Sequence, residues 1–266
     1  GEILCAFALT EAKGGSDAGA LTTQAVRDDD GYVINGNKQF ITTGKNADLT
    51  LVFAVTDPDM GKRGISAFIV PTDTPGYEVV RLEDKMGLNA SDTAQLAFND
   101  MRLPLDALLG AEGQGYRIAL GNLEGGRIGI AAQSLGMARA AYEVALAYAQ
   151  EREAFGKPII EHQAVAFRLA DMATQLAAAR QLIWHAAALR SAGQKCLMEA
   201  SMAKLFASDM AEKVCSEAMQ TLGGYGFLRD FPIERYYRGV RGARIYEGTN
   251  DIQKLVIARD LVAGSG

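Results

Sequence analysis

One carboxylate near the end of the chain stands where it could do proton chemistry. Glu247 lies in the segment RIYEGTND, residues 244–251, between a tyrosine and a glycine and just before the predicted start of a helix. A glutamate in such a place is either an ordinary surface residue or a general base held at a bend. The octapeptide alone favours the surface residue, so the choice depends on the rest of the chain.

A glycine pair inside a predicted helix is the second unusual feature. The segment LEGGRIG, residues 123–129, places Gly125 and Gly126 next to Arg127. Each glycine in a helix interior costs roughly 1 kcal/mol relative to alanine. This cost suggests that something needs space beside the helix, and a close helix–helix contact is the alternative explanation.

Three further segments are compatible with ligand contacts but are weak individually. FALTEAKGGSDAGA (7–20) and KQFITTG (38–44) place polar residues where a strand meets a loop. GGYGFL (223–228) lacks the third glycine of the dinucleotide-binding motif and follows a predicted helix, where that motif requires a strand. We therefore exclude a Rossmann site, and helix termination accounts for Gly223 and Gly224.

Composition and charge exclude other functional classes. The chain has 266 residues, of which 48% are hydrophobic and 22% charged, as in ordinary globular proteins. The net charge of −5 divides into −7 for residues 1–110 (16 acidic, 9 basic) and +2 for residues 111–266 (16 acidic, 18 basic). Neither part has the basic excess of a nucleic-acid-binding protein. The apolar runs are shorter than the ~20 residues that a membrane span needs.

Cysteine and histidine are too sparse to suggest a metal site. Cys5, Cys196 and Cys215 are odd in number and widely spaced, which suits a reducing compartment. The two histidines, His162 and His185, are accompanied by no paired cysteine motif. We therefore expect no metal, and we expect the bacterial cytoplasm or the mitochondrial matrix as the location.

The first part of the chain is predicted to be a β domain. Four segments rich in β-branched and aromatic residues, 32–42, 49–55, 65–70 and 94–103, are separated by turn residues. Spacing of this kind is typical of a small antiparallel barrel or sandwich. We assign the β domain to residues 1–108.

The second part, residues 109–266, is predicted to be an α-helical bundle. Alanine-rich sequence without proline continues to about residue 153, and a second and a third helix are predicted to about residues 193 and 222. A short final helix is expected to begin after Thr249. Its buried stripe is expected to consist of Ile252, Leu255 and Val256.

Seven segments in this order resemble the acyl-CoA dehydrogenase family, and within it the short-chain (butyryl-type) branch. They are CAFALTEAKGGSDAGA, GNKQFITTG, DKMGLNASDT, EGGRIGIAAQSLGMARAAYEVALAYAQEREAFGKPI, HQAVAFRLADMA, QTLGGYGF and IYEGTNDIQKLVIAR. The resemblance implies an α+β architecture, with a middle β domain followed by a C-terminal four-helix bundle. It also implies an N-terminal helical domain, which this sequence is expected to lack.

The resemblance implies a reaction as well. It is the FAD-dependent α,β-dehydrogenation of a short straight-chain acyl-CoA to the trans-2-enoyl-CoA, with electrons passing to electron-transfer flavoprotein. Because a thioester α-C–H is weakly acidic, a positioned carboxylate with a raised pKa is required, and Glu247 matches the family's base. Isovaleryl-type and long-chain members hold the base at the position of Gly126, so glycine there favours straight-chain substrates.

The resemblance also assigns binding residues and implies a homo-oligomer, at least a dimer and usually a tetramer. The implied FAD contacts are Phe7, Leu9, Thr10, Phe40, Ile41, Thr42, Arg152, Gln163, Gln220, Thr221, Leu222, Gly223, Gly224, Thr249, Asn250 and Asp251. The implied acyl-CoA contacts are Ser16, Glu124, Gly125, Gly126, Arg127, Tyr246 and Gly248. The contacts of Arg152, Gln163 and residues 220–224 are expected to cross a subunit interface.

The sequence departs from the family pattern at three places. Glu-Ala-Lys at 11–13 replaces the usual Glu-Pro-Gly, and Phe40 replaces a tryptophan. Arg-Gly at 238–239 replaces Arg-Asp, which is expected to leave Arg238 or Arg241 without that carboxylate. Two other functions stay open: an acyl-CoA oxidase on the same fold, and a catalytically impaired flavin-binding or scaffolding fragment.

Overall fold

A mixed β-sheet of seven strands forms the first part of the chain in the computed structural model, which describes residues 1–263. The strands are β1 (Cys5–Ala8), β2 (Gln24–Arg27), β3 (Gly31–Thr42), β4 (Leu49–Val55), β5 (Ile65–Pro71), β6 (Tyr77–Leu82) and β7 (Thr93–Pro104). Their order is β1-β4-β2-β3-β7-β6, and β5 also pairs with β4. Most pairs are antiparallel, whereas β1 and β2 run parallel to β4.

The four strands predicted from composition are β3, β4, β5 and β7, and each boundary agrees to within one residue. The sequence did not indicate β2 or β6. All but one residue of β6 is exposed, so it lacks the buried alternation that identifies a strand. β4 and β5 are mostly buried and supply the centre of the core, where Val52 pairs with Phe68.

Five α-helices and a small hairpin follow the sheet in the described part of the chain. The helices are α1 (Gly115–Glu151), α2 (Gln163–Ser191), α3 (Leu197–Leu222), α4 (Ile233–Gly242) and α5 (Asn250–Ala263), and the hairpin strands are β8 (Glu153–Ala154) and β9 (Lys157–Pro158). By their contacts the residues separate into two compact units that divide between Asn122 and Leu123, within α1. The predicted fold class, a β domain followed by a helical bundle, is confirmed.

Small buried side chains dominate the core of the helical unit. α1 and α3 contribute many of the fully buried residues of this core, among them Ala138, Ala141, Ala145, Ala149, Ala203, Ala207, Ala211 and Ala218. Alanine at these positions allows the helix backbones to approach closely. α2 adds the larger residues Leu169, Met172, Leu176 and Ile183, as its periodicity predicts.

The predicted buried stripe of α5 is wrong. The buried residues of this helix are Asn250 and Gln253, while Leu255 is 51% exposed. Polar side chains can occupy a buried position when they form hydrogen bonds there. Asn250 bonds to residues of α3, and Gln253 donates to the Glu247 and Gly248 carbonyls. The apolar periodicity therefore identified the wrong face.

Arg238 and Arg241 both have carboxylate partners, although position 239 is a glycine. Arg238 Nε lies 2.6 Å from Glu234 Oε2, one turn earlier on α4. Arg241 Nε lies 3.6 Å from Glu212 Oε1 on α3.

Residues 1–263 contain neither a membrane-spanning helix nor a group of metal ligands. No helix in this range combines the length and apolar content needed to cross a bilayer. The same residues contain no cluster of three or more potential metal ligands. All three cysteines are free thiols.

Candidate active site

Glu247 lies in a strained turn between α4 and α5. Its backbone is left-handed, with φ +56°, and Gly248 follows with φ +81°. This conformation costs a residue with a side chain about 1–3 kcal/mol, so neighbouring groups must hold it. The Asn250 N–H donates to the Arg244 carbonyl at 3.0 Å and closes the turn. A bend therefore occurs where the sequence predicts one.

Two fully buried side chains hold the carbonyl groups of this turn. Gln253 Nε2 donates to the carbonyls of Glu247 at 3.1 Å and Gly248 at 2.8 Å. Lys204 Nζ on α3 donates to the Gly248 carbonyl at 2.8 Å. The turn is thus held by a side chain of α5, which follows it, and by a side chain of α3.

The side chain of Glu247 lies against the glycine pair of α1. A Cβ on Gly126 would lie 2.6 Å from Glu247 Oε2, and a Cβ on Gly125 would lie 2.7 Å from Arg190 Nη2. Both distances are too short for a carbon atom. The glycine pair therefore makes room for a carboxylate and a guanidinium, which explains its presence inside a helix.

Buried charges surround the Glu247 carboxylate. Burial raises the pKa of Glu247, and the nearby cations Arg127 and Lys204 partly oppose this. Burial also lowers the pKa of Lys204, to about 8. A raised pKa makes a carboxylate a stronger base, and burial removes the water that would otherwise stabilise its charge. The Glu247 carboxylate is therefore suited to accept a proton.

Arg127 is buried and only partly satisfied. Its Nη1 donates to Ser201 Oγ at 3.1 Å, and its Nε has no hydrogen-bond partner among residues 1–263. Burial lowers its pKa, opposed by Glu124 and Glu247. The guanidinium contributes positive charge beside the Glu247 carboxylate.

Tyr246 and Glu124 complete this cluster. Tyr246 Oη donates to Gln133 Oε1 at 2.7 Å, and burial together with Glu247 raises its pKa to about 12, so the phenol stays neutral. Glu124 Oε1 accepts from Cys196 Sγ at 3.3 Å. The predicted substrate residues of the helical unit are therefore brought together, whereas Ser16 belongs to the β unit and is exposed.

A second cluster lines a cavity of about 500 Å³ at the end of α3. Its walls include Arg152 and the segment 220–224, all of them predicted FAD contacts. Space is open where a Cβ would lie on Gly223 or Gly224, so bare backbone faces the cavity. Bare backbone beside an arginine suits a flat or anionic group such as part of FAD. The residues present therefore fit the cofactor.

The remaining predicted FAD contacts of the helical unit have different surroundings. Gln163 is exposed at the start of α2, and Asp251 is exposed on α5. Thr249 caps α5, its Oγ1 accepting from the Ile252 N–H at 3.4 Å. The Asn250 side chain bonds to Lys204 and to Asp209 on α3, so its amide is engaged inside the unit.

In the β unit, Phe40 and Thr42 are exposed on β3. Phe40 is 63% exposed and has φ +59°, a strained conformation for an aromatic residue. Backbone strain of this kind is often found at ligand-binding sites. Ile41, between them, is buried in the core, so only its backbone could meet a cofactor. Phe7 on β1 packs against the Phe53 ring at 4.9 Å.

A buried ion pair fixes the segment that follows β1. Lys38 Nζ lies 2.8 Å from Glu11 Oε1 and donates to the Leu9 carbonyl at 3.2 Å. The Glu11 carboxylate also accepts from the amides of Thr22 and Thr23. The half-buried Thr10 carbonyl accepts from the Gln39 N–H at 2.8 Å. The predicted flavin-contacting residues Leu9 and Thr10 are thereby held in place.

Replacing Lys38 with methionine is expected to lower the free energy of unfolding by about 3–5 kcal/mol, because the Glu11 carboxylate would stay buried without its cation. Urea unfolding followed by circular dichroism measures this change. The exposed Lys45, replaced in the same way, is the control and should lower stability by less than about 0.5 kcal/mol. Equal stability of the two variants would show that the ion pair contributes nothing.

Sequence reasoning missed several of these residues, notably Lys204, Gln253, Arg190 and Lys38. A usable signal existed for Lys204, which lies four residues after Ala200 and three before Ala207 on the buried side of α3. A lysine at such a position demands partners. The identity of the partners is set by the fold and is invisible in the local sequence.

Comparisons with known proteins identify the family of the chain. The family model described as acyl-CoA dehydrogenase, middle domain, matches residues 6–101, and that described as acyl-CoA dehydrogenase, C-terminal domain, matches residues 113–262. The chain is 52% identical to an acyl-CoA dehydrogenase of Bacillus subtilis, covering 100% of this chain and 70% of the relative. It is 48% identical to the mitochondrial short-chain specific acyl-CoA dehydrogenase of Bos taurus, covering 98% and 64%.

A solved structure gives the same result in three dimensions. Butyryl-CoA dehydrogenase from Megasphaera elsdenii superposes with a TM-score of 0.97 at 45% identity, covering 98% of this chain and 68% of that one. The chain spans about two thirds of the length of these relatives. Both family models match, and about half of the residues are identical to those of the Bacillus subtilis relative along the whole sequence. The chain therefore belongs to the acyl-CoA dehydrogenase family, whose members are FAD-dependent oxidoreductases.

Proposed function

We propose that this protein dehydrogenates short straight-chain acyl-CoA thioesters with FAD, and that Glu247 is the base that removes the α-proton. The observation that carries this proposal is the Glu247 carboxylate, partly buried and lying against the bare backbone of Gly126. The named substrate class of the short-chain and butyryl-CoA relatives supports the choice of substrate.

The turn offers both groups that thioester deprotonation needs. The carboxylate takes the α-proton, while the developing negative charge on the thioester oxygen requires a hydrogen-bond donor. Among residues 1–263 nothing accepts from the Glu247 N–H, so this amide can serve as that donor. Gly248 has no side chain to obstruct the thioester. When bound, FAD would supply the acceptor for the β-hydride.

We assign the cofactor to the residues that fit it. Phe7, Leu9, Thr10, Phe40 and Thr42 would contact it from the β unit, and Ile41 through its backbone. The cavity lined by Arg152 and residues 220–224 would receive the FAD of a second subunit. Two large aromatic side chains close in sequence to these lining residues are exposed, Phe155 to 95% and Phe227 to 82%. Exposed apolar side chains of this kind support a subunit interface beside the cavity.

The partners of the proposed reaction are an acyl-CoA, a second copy of the chain and electron-transfer flavoprotein as electron acceptor. Relatives include bacterial and mitochondrial proteins, which agrees with the cytoplasm or the mitochondrial matrix as the proposed location.

A spectroscopic titration tests the function. Purified protein should show a flavin absorption band, and anaerobic addition of butyryl-CoA should bleach it. Re-oxidation that is faster with electron-transfer flavoprotein than with oxygen supports a dehydrogenase, and the reverse order identifies an oxidase. A flavin band that butyryl-CoA leaves unchanged would identify a flavin-binding protein without this activity.

A further inference from the structure

Lys204 carries a positive charge at a fully buried position of the helical unit. Its side chain is fully buried on α3, between the alanines at 200, 203 and 207. A lysine ammonium is expensive to bury unless hydrogen bonds and opposite charges compensate for the lost water. Its retention at a core position therefore calls for a specific function.

The contacts of the ammonium all lead to the turn that bears Glu247. Lys204 Nζ donates to the Gly248 carbonyl at 2.8 Å and to Asn250 Oδ1 at 2.9 Å. Asn250 Nδ2 in turn donates to Asp209 Oδ1 at 2.8 Å and to Ser208 Oγ at 3.0 Å, both on α3. One buried cation thus ties α3 to the left-handed turn and to the first residue of α5.

The charge of Lys204 also acts on the carboxylate. The charged and titratable groups that face Glu247 are Arg127 on α1, Lys204 on α3 and the neighbouring Tyr246 phenol. Those that face Lys204, besides Glu247 and Arg127, are Asp209 on α3 and Arg244 after α4. Lys204 is therefore one of two cations that oppose the effect of burial on Glu247.

We propose that Lys204 is a positioning residue for the base: its hydrogen bonds hold the Glu247–Gly248 turn, and its positive charge favours the ionised form of the carboxylate. This inference rests on the proposed function of Glu247. The effect of the hydrogen bonds can be separated from the effect of the charge, because Gln253 donates to the same Gly248 carbonyl, and to that of Glu247, without carrying a charge.

The pH dependence of flavin bleaching distinguishes the two effects. The measurement uses FAD-loaded protein mixed anaerobically with butyryl-CoA across the acid and neutral range. In Lys204→Met we expect the midpoint of the acid limb to rise by roughly one pH unit, since a stabilising cation is lost. The maximal rate should fall by roughly 10²-fold as the turn loosens. Gln253→Leu should lower the maximal rate and leave the midpoint unchanged.

Lys213→Met is the matched control, because Lys213 is an exposed lysine on the same helix. It should leave both the rate and the midpoint at their wild-type values. A Lys204→Met variant whose midpoint equals that of wild type would overturn the inference, whatever its maximal rate. Absence of bleaching in the wild-type protein would instead overturn the proposed function.

A second substitution covers the case in which Lys204→Met does not fold. Lys204→Gln keeps a hydrogen-bond donor and removes the charge, so the same rise in midpoint is expected with a smaller loss of rate. If neither variant can be recovered folded with FAD bound, Lys204 is a determinant of folding only, and the inference is wrong.

Discussion

Replacing Glu247 with glutamine is expected to slow the bleaching of bound FAD by butyryl-CoA by at least about 10³-fold. Glutamine has nearly the same shape as glutamate but cannot accept the α-proton. The rate constant is measured by anaerobic stopped-flow absorbance in single turnover. In the wild-type protein the same rate should fall as the pH drops, and because the pKa of Glu247 is raised, this loss should occur above the ordinary range of a glutamate.

Two controls accompany the Glu247→Gln variant. Its flavin spectrum and its stability should match those of wild type, because an uncharged amide is easier to bury than a carboxylate. Glu143→Gln alters an exposed glutamate on α1 that pairs with Arg139, and it should bleach at the wild-type rate. A Glu247→Gln variant that bleaches within tenfold of wild type would show that another group is the base.

Replacing Gly126 with alanine is expected to separate stability from activity. A methyl group at this position would lie 2.6 Å from Glu247 Oε2, so the flexible carboxylate must move away. Displacing a catalytic group by about 1 Å can cost 10²-fold in rate. At the same time alanine favours the helix over glycine by roughly 1 kcal/mol. We expect a protein that is at least as stable as wild type and bleaches about 10²-fold more slowly.

Gly129→Ala is the matched control for this substitution. Gly129 is exposed on the same helix and has nothing within 4 Å of an added Cβ. Alanine there should give a similar gain in the free energy of unfolding with no loss of rate, as measured by urea unfolding and by bleaching. A Gly126→Ala variant that keeps the wild-type rate would mean that the carboxylate does not act from its position beside Gly126.

Much of the fold could be predicted because its signals are local. The strands β3, β4, β5 and β7 alternate or bury β-branched residues between clear turns, and α3 ends at Leu222, where its end was predicted. β6 could not be found in this way, since its side chains are mostly exposed and carry no alternation.

The polar interior could not be predicted, because its partners are distant in sequence. Lys204 meets Asn250 across 46 residues, and Lys38 meets Glu11 across 27. The apolar periodicity of α5 accordingly predicted that Leu255 is buried, whereas Gln253 is the buried residue. The glycine pair shows the reverse case: the sequence indicated that space was needed at Gly126, and only the structure identifies the Glu247 carboxylate as its occupant.

Deuterium exchange into acetyl-CoA tests most directly whether Glu247 removes an α-proton. Acetyl-CoA has α-hydrogens but no β-hydrogen, so exchange reports deprotonation without hydride transfer. The FAD-loaded protein is incubated with acetyl-CoA in deuterium oxide, and the loss of the methyl proton signal is followed by NMR. We predict exchange with wild type and background exchange with Glu247→Gln. Exchange at the wild-type rate in Glu247→Gln would contradict the assignment of the base.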